Sequence, residues 1–143
     1  MYRDPLSFSQ NTTQDLAQSV RHALMQLGCS EELLLGFDSY STIKMEFDDC
    51  EDVHISLEND RLWLWSRFNT KVSDLNHFSL SILKLLSKPM LNVETSQPVI
   101  GECEDGFEIK ALVNPNCVDN VSEFSSVVED FHSVIKSVLN EAA

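Results

Sequence analysis

Histidine, cysteine and clustered carboxylates are the groups with which a small chain would do chemistry, and here they are dispersed. His22, His54, His77 and His132 form no His-x-x-x-His pair, and Cys29, Cys50, Cys103 and Cys117 form no Cys-x-x-Cys. A metal site would therefore need remote residues to converge by chance. Gly101 and Gly106 have the four-residue spacing of a phosphate loop, but Phe107 stands where the lysine is needed and the context is a hairpin. The run Asp48-Asp49-Cys50-Glu51-Asp52 lacks the glycine and alternating ligands of a calcium loop, and reads as a solvated acidic loop. A Ser-His-Asp set is recognised by geometry rather than order, and nothing in the sequence singles one out. The expectation is a protein with no catalytic, cofactor or metal residue, whose work is binding.

What such a protein would bind with is suggested by Arg61-Leu62-Trp63-Leu64-Trp65-Ser66-Arg67-Phe68, a strand-like run that is apolar on both faces. Upstream, Val53, Ile55 and Leu57 alternate with His54, Ser56 and Glu58, as in a half-buried strand. Asn59-Asp60 supplies turn chemistry. A two- or four-residue turn sets Leu57 opposite Leu62 and Ile55 opposite Leu64 on the core face, and leaves Trp63 and Trp65 opposite Ser56 and His54 on the other. A three-residue loop would swap the faces. A Trp can cover roughly 150–250 Å², or several kcal/mol of burial at about 25 cal/mol per Å². Either a helix of the same chain or a partner surface is expected to cover the two rings.

The elements that position this strand belong to one domain of 143 residues, with a loose tail over residues 1–13 and a single unit over 14–141. Ten Lys and Arg against 23 Asp and Glu give a formal charge of −13, which repels phosphate backbones and anionic membranes. Nucleic acid is therefore not an expected partner. Met1 to Thr13 lacks the basic flank and apolar run of a signal peptide, and no apolar run approaches a membrane span. A cytoplasmic protein with reduced cysteines is expected.

A first helix is expected from Thr12 or Thr13, with Leu16, Val20, Ala23, Leu24 and Leu27 on one stripe and Gly28 at its end. After a short turn or helical fragment around Glu31 to Gly36, Ile43, Met45 and Phe47 alternate as a first strand before the Val53 strand and the Trp strand. Ser73 can cap a second helix carrying Leu75, Phe78, Ile82, Leu85 and Leu86, stopped at Pro89. Val99 to Cys103 and Phe107 to Val113 then form a second hairpin. For it a three-residue loop is preferred, with Val99, Gly101, Cys103, Phe107, Ile109 and Ala111 on one face. From about Asp119 a long helix carries Phe124, Val127, Val128, Phe131, Ile135 and Val138. The order is α-β-β-β-α-β-β-α, an α+β domain with a mostly antiparallel sheet.

This order, with the acidity, resembles the class I type III secretion chaperones of Gram-negative bacteria. Gly36-Phe37-Asp38-Ser39-Tyr40-Ser41-Thr42-Ile43, Leu62-Trp63-Leu64-Trp65 and Gly106-Phe107-Glu108-Ile109-Lys110-Ala111-Leu112-Val113-Asn114-Pro115 are similar to the invasion-type, multi-effector class IB chaperones of the Spa and Inv systems, over residues 14 to 139. The resemblance implies a homodimeric, ATP-independent bacterial cytoplasmic chaperone. It would hold the N-terminal segments of secreted effectors in extended form and hand them over at the export machinery, whose ATPase would be a further partner. It also implies effector contacts by Leu16, Val20, Leu24, Met45, Trp63 and Trp65, and a dimer interface of Phe78, Ile82, Leu85 and Val99. A dimeric adaptor without an unfolded client, and a small enzyme with a site built from remote residues, are the competing readings.

Overall fold

In the computed structural model the described residues are 5–34, 42–46, 48, 51–59, 61–69 and 79–142, with side chains from residue 16 to 141 apart from residue 33. Helix α1 (Pro5–Gln26) and the single turn α2 (Glu31–Leu34) precede strands β1 (Thr42–Met45), β2 (Val53–Glu58) and β3 (Arg61–Phe68). Helix α3 (Ser79–Leu86), strands β4 (Val99–Cys103) and β5 (Gly106–Val113), a 3₁₀ turn (Pro115–Cys117) and helix α4 (Val121–Ala142) complete the chain. This is the expected α+β order.

Helix α1 starts at Pro5 rather than at Thr12 or Thr13. Proline suits a first helical turn because its missing N–H would have no partner there. The Ser, Gln, Asn and Thr that follow lower helix propensity by well under ~1 kcal/mol each and do not break the helix. Gly28 ends it as expected, at φ +101°, with Gly28 N–H donating to Met25 O at 3.1 Å and Cys29 N–H to Leu24 O at 3.0 Å. The expected cap Ser73, with Leu75 and Phe78, lies outside the described residues.

All strand pairs are antiparallel, in the order β1-β2-β3-β5-β4. The β2–β3 hairpin has the two-residue turn, with Asn59 at φ +52° and Leu57 opposite Leu62, Ile55 opposite Leu64, Ser56 opposite Trp63 and His54 opposite Trp65. The β4–β5 hairpin departs from the preferred register. Cys103 pairs with Gly106 and Ile100 with Ile109, so Ile100 and Glu102 share the inner face with Phe107 and Ile109, while Val99, Gly101 and Cys103 face outward. The reason is burial: β5 is locked by β3, with Phe68 stacked on Phe107 at 4.9 Å, whereas β4 is an edge strand exposed on both faces. Hydrophobic pattern selects register only where a face is buried.

Helix α4 lies over β3 and β5, with α1 and α3 packed on α4. Phe124, Phe131 and Ile135 of α4, Leu24 of α1, and Ile55, Leu64, Phe107 and Ile109 of the sheet form a closed core. The described helices α1, α3 and α4 therefore occupy one side of the sheet.

Candidate functional site

The outer face of the sheet carries the two indoles. Trp63 and Trp65 are half-buried there, and among the described residues the cover they have comes from neighbouring strand residues. The imidazole of His54 stacks on Trp65 with centroids 4.0 Å apart and planes 10° apart. The Arg67 guanidinium lies 4.9 Å from the Trp65 ring centre, and the Lys110 ammonium lies 5.4 Å from that of Trp63. Trp65 Nε1 donates to Ser56 Oγ at 2.9 Å, and Ser56 Oγ in turn shares a 2.7 Å hydrogen bond with Thr42 Oγ1 of β1. The edge strand is thus tied to the indole through one hydroxyl. All of these residues except His54 line a shallow groove of about 440 Å³ with Leu57, Glu58 and Glu108.

His54 Nδ1 is buried with no hydrogen-bond partner among the described residues. Desolvation holds its pKa below the usual 6.5; the Trp65 backbone hydrogen bond and Asp52 oppose the shift, and Lys44 and Arg67 add to it. A neutral imidazole can leave one nitrogen bare; an imidazolium would present a second donor with nothing to accept it.

The residues expected to contact effectors are not brought together. Leu16, Val20 and Leu24 are buried in the core, and Met45 packs against that core as well, opposite Val53 in the β1–β2 ladder. Only Trp63 and Trp65 stand on the outer face, with the whole sheet between them and the other four. The cause is periodicity: Met45 falls on the parity of Ile43, and the α1 stripe has the sheet and α4 to pack against.

The expected interface residues divide too. Ile82 is buried, Leu85 is half-buried against the core, and Val99 is exposed; Phe78 lies outside the described residues. The exposed apolar groups at that end are instead Leu80, Leu83, Val99 and Ile100. Leu83, Val99 and Ile100 line a groove of about 400 Å³ between α3 and the edge strand β4, floored by Ile82 and Leu86. Leu80 and Leu83 were missed because one stripe was assigned to this helix. The segment Leu80-Ser81-Ile82-Leu83-Lys84-Leu85-Leu86 is apolar on nearly every side, the mark of a helix covered all round.

No cluster of three or more His, Cys, Asp or Glu able to hold a metal occurs among the described residues. Cys29 and Cys103 are half-buried; Cys117 is buried, and desolvation pushes its thiol up to about 11. No helix among the described residues is long and apolar enough to cross a membrane.

Comparison with known proteins gives a consistent assignment. The chain is 28% identical over 123 residues to the surface presentation of antigens protein SpaK of Salmonella typhimurium, covering 85% of this chain and 91% of that protein. The match to the protein of the same name in Salmonella typhi has the same values. The model of the invasion protein B family matches residues 28–104, from the end of α1 to the β4–β5 turn. With more than half its length in that match, the chain belongs to the invasion protein B family.

Proposed function

We propose that the protein is a class IB type III secretion chaperone, homodimeric and cytoplasmic, that holds the N-terminal segments of secreted effectors in extended form without ATP. Membership of the invasion protein B family supports a secretion-associated role. The observation that carries the finer reading is the outer face: two half-exposed indoles on β3, linked through Ser56 of β2 to β1, an edge strand whose far side has no partner among the described residues. An extended segment can add to such an edge by main-chain hydrogen bonds while alternate side chains settle on the neighbouring apolar surface. Binding of that kind needs no chemical step and little sequence specificity. Its net strength is the apolar area covered less the entropy of ordering the segment.

The test is co-expression with the N-terminal segment of a candidate effector. The segment should become soluble and protease-resistant with the native protein, and lose both with Trp63→Ala/Trp65→Ala, while far-UV circular dichroism and the native mass stay unchanged. Retention of protection by the double variant would refute the assignment of this face. An adaptor dimer without an unfolded client would protect no segment at all.

A further inference from the structure

The two cations over the tryptophans are held by one carboxylate. Glu108 stands opposite Arg67 in the β3–β5 ladder, and its Oε2 accepts from Arg67 Nε at 3.3 Å. Its Oε1 lies 3.2 Å from Lys110 Nζ. Arg67 is the cation over Trp65, and Lys110 the cation over Trp63. These are the chain's only two tryptophans. The Glu108 side chain is only 15% exposed, against 60% for Arg67 and 36% for Lys110. The anion is thus the fixed part of the arrangement and the two cations are the movable parts.

We propose that Glu108 is a latch that holds Arg67 and Lys110 over the indoles in the empty protein, and that an apolar segment binds by displacing both cations. This rests on the outer face being the client surface. Long cationic side chains cover apolar rings while keeping their charge in water. That solves a problem for any protein that must wait in solution with a binding surface exposed. Each exposed cation–π contact holds its closed position by only about a twofold to fivefold preference, and exposed ion pairs add little more. The cover is therefore firm enough to shield the rings and weak enough for an apolar side chain to replace. With Glu108 neutralised, the two cations lose their common anchor and repel each other at short range.

The latch also sets the sign of a salt effect. Raising salt from about 0.01 M to about 1 M shortens the screening length from roughly 30 Å to roughly 3 Å. It weakens the Glu108 pairs and opens the face. A surface that attracted its client by charge would lose affinity over the same range.

Because both tryptophans lie on this face, quenching of intrinsic fluorescence by acrylamide, a neutral probe, reads the latch in the free protein. The quenching constant should rise with salt in the native protein. It should be raised by about 1.5-fold or more at low salt in Glu108→Gln, and be nearly salt-independent there. Arg67→Gln/Lys110→Gln should reproduce the open state by removing the cover itself, and serves where Glu108→Gln does not fold. Equal quenching in native protein and both variants, or a fall with salt, overturns the latch whether or not a client is ever bound. With an effector segment captured by co-expression, Glu108→Gln should bind it about threefold more tightly at low salt. Weaker binding would make the cations client contacts and overturn the proposal while leaving the client surface intact. Failure of the native protein to bind any segment, with quenching as expected, would sink the chaperone reading and spare the latch.

Discussion

Leu83→Asp separates the fold from the assembly. Leu83 is 65% exposed in the protomer, and beside it Val99 and Ile100 are 40% and 45% exposed. In a lone protomer the substitution removes no buried contact, so its cost is confined to surface and helix-propensity effects, under about 1 kcal/mol. In a homodimer built on the α3–β4 groove the same side chain is covered by the partner. Burying a whole leucine contributes about 1.5–3 kcal/mol. The exposed two thirds therefore corresponds to about 1–2 kcal/mol in each subunit, and two-fold symmetry counts it twice. A loss of about 2–4 kcal/mol is about 30-fold to 1,000-fold in the dimer dissociation constant. The desolvation of two carboxylates adds to that figure.

Sedimentation or light scattering across a dilution series, with circular dichroism on the same samples, reads both quantities. The expected result is a folded monomer at concentrations where the native chain is a dimer. A Leu83→Asp protein with the native dissociation constant would refute the placement, and so would a native chain that is monomeric throughout. Ile82→Asp cannot serve this purpose. Ile82 is buried within the protomer, and a carboxylate there unfolds the chain whether or not it dimerises.

Phe131→Ala removes a fully buried ring at the centre of α4. It should lower stability by about 3–5 kcal/mol, seen as a shift of the urea midpoint at constant slope; a shift below about 1 kcal/mol would mean that α4 does not seal the sheet. His54 predicts a pH dependence of defined sign. Its folded pKa is depressed, so the unfolded chain binds the proton more readily, and stability is fully present above about 6.5 and falls as pH drops through the folded value. His54→Phe should flatten that segment of the urea midpoint against pH and keep the aromatic stack on Trp65. An unchanged slope would assign the effect to other groups.

The sheet was legible in the sequence where burial is one-sided. Val53-Ile55-Leu57 and Leu62-Leu64 alternate against polar or aromatic neighbours, and Asn59 accepts positive φ, so turn and pattern agree on one register. They disagree for β4, where no face is buried, and Gly106 suggested a longer loop than the chain adopts. The division of the residues expected to contact effectors has a different cause. An apolar stripe such as Leu16-Val20-Leu24 reads the same whether it faces a core or a client, and only the position of α4 shows that it is core. Arg67, Lys110 and Glu108 were invisible as a group because their association depends on the pairing of β3 with β5 across 41 residues.

The strand order bears on whether dimer and client can coexist. The groove with Leu83, Val99 and Ile100 is at the β4 edge, and the open edge β1 is at the opposite end of five strands, with the tryptophan strand β3 midway between them. Four inter-strand spacings of about 4.8 Å put the edges about 19 Å apart before twist is counted. Trp63 and Trp65 are on β3, two spacings or about 10 Å in from β4, and on the face away from the helices, so a subunit seated on the helix side of that edge would leave both open. Two copies joined there would present two indole faces, and one long segment spanning both would gain effective concentration without any new contact. If dimerisation instead consumed the Trp face, Trp63→Ala/Trp65→Ala would dissociate the dimer as Leu83→Asp is expected to do. The two variants measured side by side by mass decide between these geometries.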